Sequence, residues 1–119
     1  MPTEHTVADA ADVPERGCRI VEVNGRSLGV FNVGGRYYAL PNVCFHQGGP
    51  LCEGKITGTL IASAESNFKP QWVKEGEILR CPWHSMEVEI PSGKCLAYPG
   101  RRIRTYPVRV EAGKVIVEL

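Results

Sequence analysis

Apolar and polar residues alternate along much of this chain in short runs, and a period of two predicts strands rather than helices. Near the C-terminus Val108 and Val110 alternate with Arg109 and Glu111. After a turn at Ala112-Gly113, Val115, Val117 and Leu119 resume the pattern. Met86, Val88 and Ile90 share one face of a further strand, with Glu87 and Glu89 on the other. The runs CRIVEV (18–23) and RSLGVF (26–31) flank Asn24-Gly25, a hairpin signal because both residues tolerate positive φ. Gly34-Gly35 turns GVFNV back into RYYAL (36–40). The segment TVADAADVPERG has room for one helical turn at most, and the N-terminus before it, with His5, is expected to fray.

Composition narrows the class. Nine prolines and thirteen glycines in 119 residues suit a small all-β domain with many turns, and the length suits a single domain, 1–119. Hydrophobic residues make up 43% and charged residues 23%, and a net charge of +1 gives no bulk reason to expect a nucleic-acid or membrane partner. No apolar run approaches the ~18 residues of a membrane span. The first residues lack a basic stretch followed by an apolar one, so no signal peptide is expected and the cytoplasm is the expected location. In such a chain Cys18, Cys44, Cys52, Cys81 and Cys95 point to thiols or metal ligands rather than a disulfide framework.

Two stretches carry candidate chemistry. CFHQGGPLC (44–52) places His46 two residues after Cys44, and CPWHS (81–85) places His84 three residues after Cys81. Either pair alone is open to several readings: metal ligands, a nucleophile with its base, or a structural loop. Two thiolate–imidazole pairs on loops at strand ends can converge on one metal centre. Structural zinc accepts the same donors. A Cys-His hydrolase would leave the second pair unexplained.

Together CFHQGGPLCEG and CPWHSMEVEIPSGKCL resemble the two boxes of Rieske proteins, and specifically of small soluble Rieske-type ferredoxins. The flanks DVPERG, FNVGGRYYALPNVC and RTYPVRVEAGKVIVEL resemble the family too, so the likeness covers nearly the whole chain. It implies an antiparallel β-sandwich with a small cluster-binding subdomain, whose ligand loops are 44–52 and 81–86. One 2Fe–2S cluster is implied, with Cys44 and Cys81 on one iron and His46 and His84 on the other. Two thiolates and two neutral imidazoles leave the oxidised centre uncharged, which raises its potential relative to four-thiolate ferredoxins. High-potential relatives bridge the two loops with a disulfide at positions that are Gly49 and Trp83 here. They also donate hydroxyl hydrogen bonds from positions that are Met86 and Val88 here. Both differences imply the low end of the Rieske range and no bridging disulfide.

The resemblance implies a one-electron carrier between a reductase and an oxygenase or other oxidoreductase. The alternative is a tightly bound small Rieske subunit of a larger oxidoreductase such as a nitrite reductase, and a zinc-stabilised interaction module is a further reading. No substrate site of its own is expected, because beyond His46 and His84 only His5 remains. Partners are expected at the tip: Phe45 to Gly48, Trp83 to Ser85, and Pro99 with Gly100. One departure from the family is the 34-residue spacing between His46 and Cys81, residues 47–80. It is read as a lengthened hairpin at about 63–77 that turns at Lys74-Glu75-Gly76-Glu77, with Phe68 and Trp72 in its packing. Cys18, Cys52 and Cys95 are expected to be small buried residues, and Arg101 to Arg104 a solvated strand edge.

Overall fold

The computed structural model describes residues 3–43, 50–62, 67–82, 86–96 and 100–119. Among them are nine strands: β1 (Glu4–Asp9), β2 (Cys18–Val23), β3 (Arg26–Val33), β4 (Arg36–Pro41), β5 (Lys55–Ile61), β6 (Gln71–Arg80), β7 (Glu87–Glu89), β8 (Val108–Glu111) and β9 (Lys114–Glu118). They form three antiparallel sheets, ordered β1-β9-β8, β2-β3-β4 and β5-β6-β7. The all-β architecture is the one expected. Two of the expected tight turns are present with positive φ at both central residues: Asn24 (50°) and Gly25 (77°) join β2 to β3, and Ala112 (50°) and Gly113 (76°) join β8 to β9. These backbone twists match the twist of paired strands.

The middle sheet serves two cores at once, through the period of two. On β3, Leu28 and Val30 face one core while Phe31 faces the other. On β4, Ala39 joins the first and Leu40 the second. The first core lies against the β1-β9-β8 sheet and includes Val13, Val23, Tyr106, Val115 and Val117. The second lies against the β5-β6-β7 sheet and includes Leu51, Leu79, Met86, Val88, Ile90 and Ile103. Tyr106 N–H donates to Ala39 O at 3.0 Å and ties the segment before β8 to β4. A strand buried on both faces reads as an unbroken apolar run, as LGVF does.

The N-terminus departs from expectation. It does not fray: β1 pairs with β9, and Thr3 and Leu119 exchange backbone hydrogen bonds of 2.8 and 2.9 Å. His5 sits within this strand, its Nε2 2.8 Å from Thr3 Oγ1. Ion pairs of Glu4 with Arg109 and Asp9 with Lys114 flank the sheet. The helical turn is a single 3₁₀ turn at Ala10–Asp12.

The β5–β6 pair also differs from its reading. Residues 74–77 are not the reversal of a hairpin but a wide bulge inside β6. The register passes from Thr57↔Ile78 directly to Thr59↔Val73, so four residues of β6 oppose Gly58. Lys74 (58°) and Gly76 (86°) take positive φ there, so the local turn signal is real but is absorbed into a continuous strand. Trp72 Nε1 donates to Glu75 Oε2 at 2.7 Å, and Arg16 Nη2 meets Glu75 Oε1 at 2.8 Å. These two bonds hold the Glu75 carboxyl below its ordinary pKa. Trp72 and Phe68 do not pack inward; they are 52% and 70% exposed. The pairing runs from Lys55↔Arg80 to Ile61↔Gln71, roughly 20 Å at the usual strand rise.

Candidate metal centre

The second candidate loop hangs between β6 and β7. Arg80 and Glu87 are cross-strand partners, and Cys81 N–H donates to Met86 O at 2.9 Å, so residues 81 and 86 meet at the end of a paired stem. Arg80 Nη2 meets Glu87 Oε2 at 3.1 Å, and Thr59 Oγ1 donates to Glu87 Oε1 at 3.0 Å, which fixes the stem from the β5 side as well. Cys81 is 1% exposed and packs in the second core with Leu51, Leu79 and Met86. Val88, on β7, is fully buried in the same core.

The first candidate loop leaves β4 and returns as a 3₁₀ turn at Leu51–Glu53. Its two ends are fastened together by a residue that the sequence reading passed over. Asn42 Oδ1 accepts the Cys52 N–H at 2.8 Å, while Asn42 N–H and Nδ2 donate to Ser27 O (2.9 Å) and Ser27 Oγ (3.2 Å). An Asn just before a Cys-x-His box was the available signal, since its short amide readily bonds nearby backbone.

Of the four predicted ligands only Cys81 falls within the described residues; Cys44, His46 and His84 lie outside them, as do Gly49, Trp83 and most of the expected docking tip. Among the described residues, no three or more His, Cys, Asp or Glu side chains come together as a metal site. Cys52 is 3% exposed, with its Sγ toward Leu40 O and Pro41 O at 3.7 and 3.6 Å. Burial pushes its thiol well above the usual range. Its burial in the second core makes Cys52 a packing residue, as expected. Cys95 is buried in the same core, as expected. Cys18 is a correction: it is exposed on β2, although its Sγ turns toward Cys52 O at 3.5 Å and desolvation there raises the thiol to about 12.

The one predicted donor among the described residues, Cys81, has a setting that fits an iron–sulfur centre. Cys81 offers a thiol in a dry, apolar setting at the end of the β6–β7 stem, and soft sulfur donors suit iron–sulfur chemistry. The paired stem and the Asn42 tie hold the flanks of both loops against one core.

A profile of the Rieske [2Fe-2S] domain matches residues 3–107. The chain belongs to the Rieske family. This Rieske protein is 28% identical over 109 residues to the ferredoxin component of the naphthalene 1,2-dioxygenase/salicylate 5-hydroxylase systems of a Ralstonia species, covering 91% of this chain and 88% of that one. It is also 28% identical over 110 residues to the 3-phenylpropionate/cinnamic acid dioxygenase ferredoxin subunit of Escherichia coli K12, covering 92% and 87%. Among solved structures, the Sphingomonas yanoikuyae B1 ferredoxin superposes with a TM-score of 0.73 at 25% identity, covering 98% and 99% of the two chains. The Rieske protein holds one 2Fe–2S cluster and is an electron carrier rather than a catalytic subunit. No helix among the described residues is long and apolar enough to cross a membrane.

Proposed function

We propose that this Rieske protein takes one electron from a reductase and delivers it to a ring-hydroxylating oxygenase in the cytoplasm, through a cluster held by Cys44, His46, Cys81 and His84. The observation that carries this reading is the near end-to-end match to ferredoxin components of dioxygenase systems, about nine-tenths of both chains. When bound, the cluster supplies one-electron chemistry at neutral charge. The rest is the work of the chain. Cys44 and Cys81 supply thiolates to one iron, and the two imidazoles supply neutral nitrogen to the other. Leu51, Met86 and Val88 keep water from Cys81. Neither Met86 nor Val88 can donate a side-chain hydrogen bond to the centre, which favours a low potential. The imidazole side of the site is the exit for electrons, and partners would meet the sequence neighbours of the two histidines, Phe45, Gln47, Gly48, Trp83 and Ser85, with Pro99 and Gly100. A redox contact of this kind is small and transient.

The test is anaerobic electron transfer. Chemically reduced protein is mixed with the terminal oxygenase of a naphthalene- or phenylpropionate-type dioxygenase, and its visible spectrum is followed. One electron per chain should pass to the oxygenase, with no complex surviving gel filtration. Failure to reoxidise, or copurification at fixed stoichiometry with another oxidoreductase, contradicts the shuttle.

A further inference from the structure

Gly54 follows the 3₁₀ turn that ends the first loop, with φ −76° and ψ −178°, extended backbone that any residue adopts. Conformation therefore does not demand glycine. Space does: a Cβ on Gly54 would stand 1.7 Å from Arg80 O, 2.7 Å from Arg80 C and 3.2 Å from Leu51 O. The obstacle is backbone, so no side chain can swing aside to admit a methyl group. Arg80 immediately precedes Cys81, and it cannot retreat freely, because it is paired to Lys55 on one side and to Glu87 on the other. The stem of one ligand loop thus rests directly on the backbone that leads into the other.

We propose that Gly54 is a positioning residue that sets the separation of the two cluster loops. The proposal rests on the ligand assignment above. Iron–ligand distances tolerate displacements of only about 0.2 Å. A methyl group at Gly54 must push the first stem off Arg80 by far more than that, and Cys81 moves relative to Cys44 and His46. The effect then reaches the cluster's electronic structure, not only the stability of the fold.

The experiment compares the holoprotein with Gly54→Ala and Gly58→Ala. Gly58 is the control: its Cβ would meet Val73 O at 2.6 Å, Trp72 Nε1 at 2.7 Å and Glu75 Oε2 at 2.8 Å, a similar conflict in the same sheet but at the β6 bulge. Iron and sulfide content, EPR g values of the reduced protein, midpoint potential and thermal unfolding are measured for each. Gly58→Ala should lower the melting temperature while g values and potential stay at wild-type values. Gly54→Ala should shift both g values and potential and shorten the cluster's lifetime. Wild-type g values and potential in Gly54→Ala overturn the proposal. If Gly54→Ala does not fold, Glu87→Gln decides, because it weakens the ion pair that holds Arg80 against Gly54 without touching the core around Cys81. Shifted g values in it support the proposal, and unshifted ones overturn it. A wild-type protein without a Rieske-type signal would instead contradict the ligand assignment itself.

Discussion

Asn42 Oδ1 accepts the backbone N–H of Cys52 at 2.8 Å and so joins the two ends of the first ligand loop. The same side chain and its backbone are tied to Ser27 at the β3 end of the middle sheet. The loop is therefore anchored to the most deeply buried sheet rather than to itself. Replacing Asn42 with Ala leaves the Cys52 N–H without its partner, at a cost of about 1–3 kcal/mol. Urea unfolding of Asn42→Ala should show that loss, and the visible spectrum should fade at lower urea concentration than in the wild type. Unchanged midpoints for both would contradict a role for this tie.

The potential is expected near the low end of the Rieske range of about −150 to +300 mV. Met86 and Val88 are buried in the second core and carry no hydroxyl. Met86→Ser places a donor two residues beyond His84, and a bond to the centre favours the reduced state. Protein-film voltammetry should give a wild-type midpoint at or below zero and a higher one for Met86→Ser. A wild-type midpoint well above zero would contradict this account.

Stability should fall on the alkaline side. Burial raises the Cys52 thiol far above its ordinary value of 9.0, so the folded protein holds this proton more tightly than the unfolded chain does. The resulting stabilisation is complete below pH 9 and is lost as pH rises above it, by about 1.4 kcal/mol per pH unit for one thiol. Chemical unfolding between pH 8 and pH 10 should show the decline, and Cys52→Ala should reduce its slope, the remainder coming from the likewise raised Cys18 thiol. An equal slope in the variant would show that another group is responsible.

Much of this fold was legible because its turns are chemically explicit. Asn24-Gly25 and Ala112-Gly113 name their own backbone conformation, and Val88, Val115 and Val117 mark buried faces by alternation alone. The misreadings have a common cause in tertiary context. EHTVAD is a poor strand by itself, but the open edge of β9 gives it a partner. Lys74 and Gly76 do turn locally, yet β5 pairs on both sides of them and converts a reversal into a bulge. Cys18 was grouped with the buried thiols, but at the start of β2 the residue stays exposed even though its Sγ leans on Cys52 O, while Cys52 fills the space against Gly29. At the candidate metal centre the two Cys-His boxes stand in the sequence, and of their donors the structure describes Cys81. The surroundings of the boxes were not legible, because the Asn42 tie to Cys52, the Gly54 contact with Arg80 O and the Arg80–Glu87 pair are tertiary contacts that no spacing encodes.

Pulsed EPR of the reduced protein, read for nitrogen couplings, tests the central claim most directly. Two directly bound imidazoles should give two strong ¹⁴N couplings to the cluster spin, with iron and acid-labile sulfide present in equal amounts. His46→Ala and His84→Ala should each abolish the pair, either by removing one coupling or by losing the cluster. A colourless protein with bound zinc and no acid-labile sulfide, or a signal without directly bound nitrogen, would contradict it.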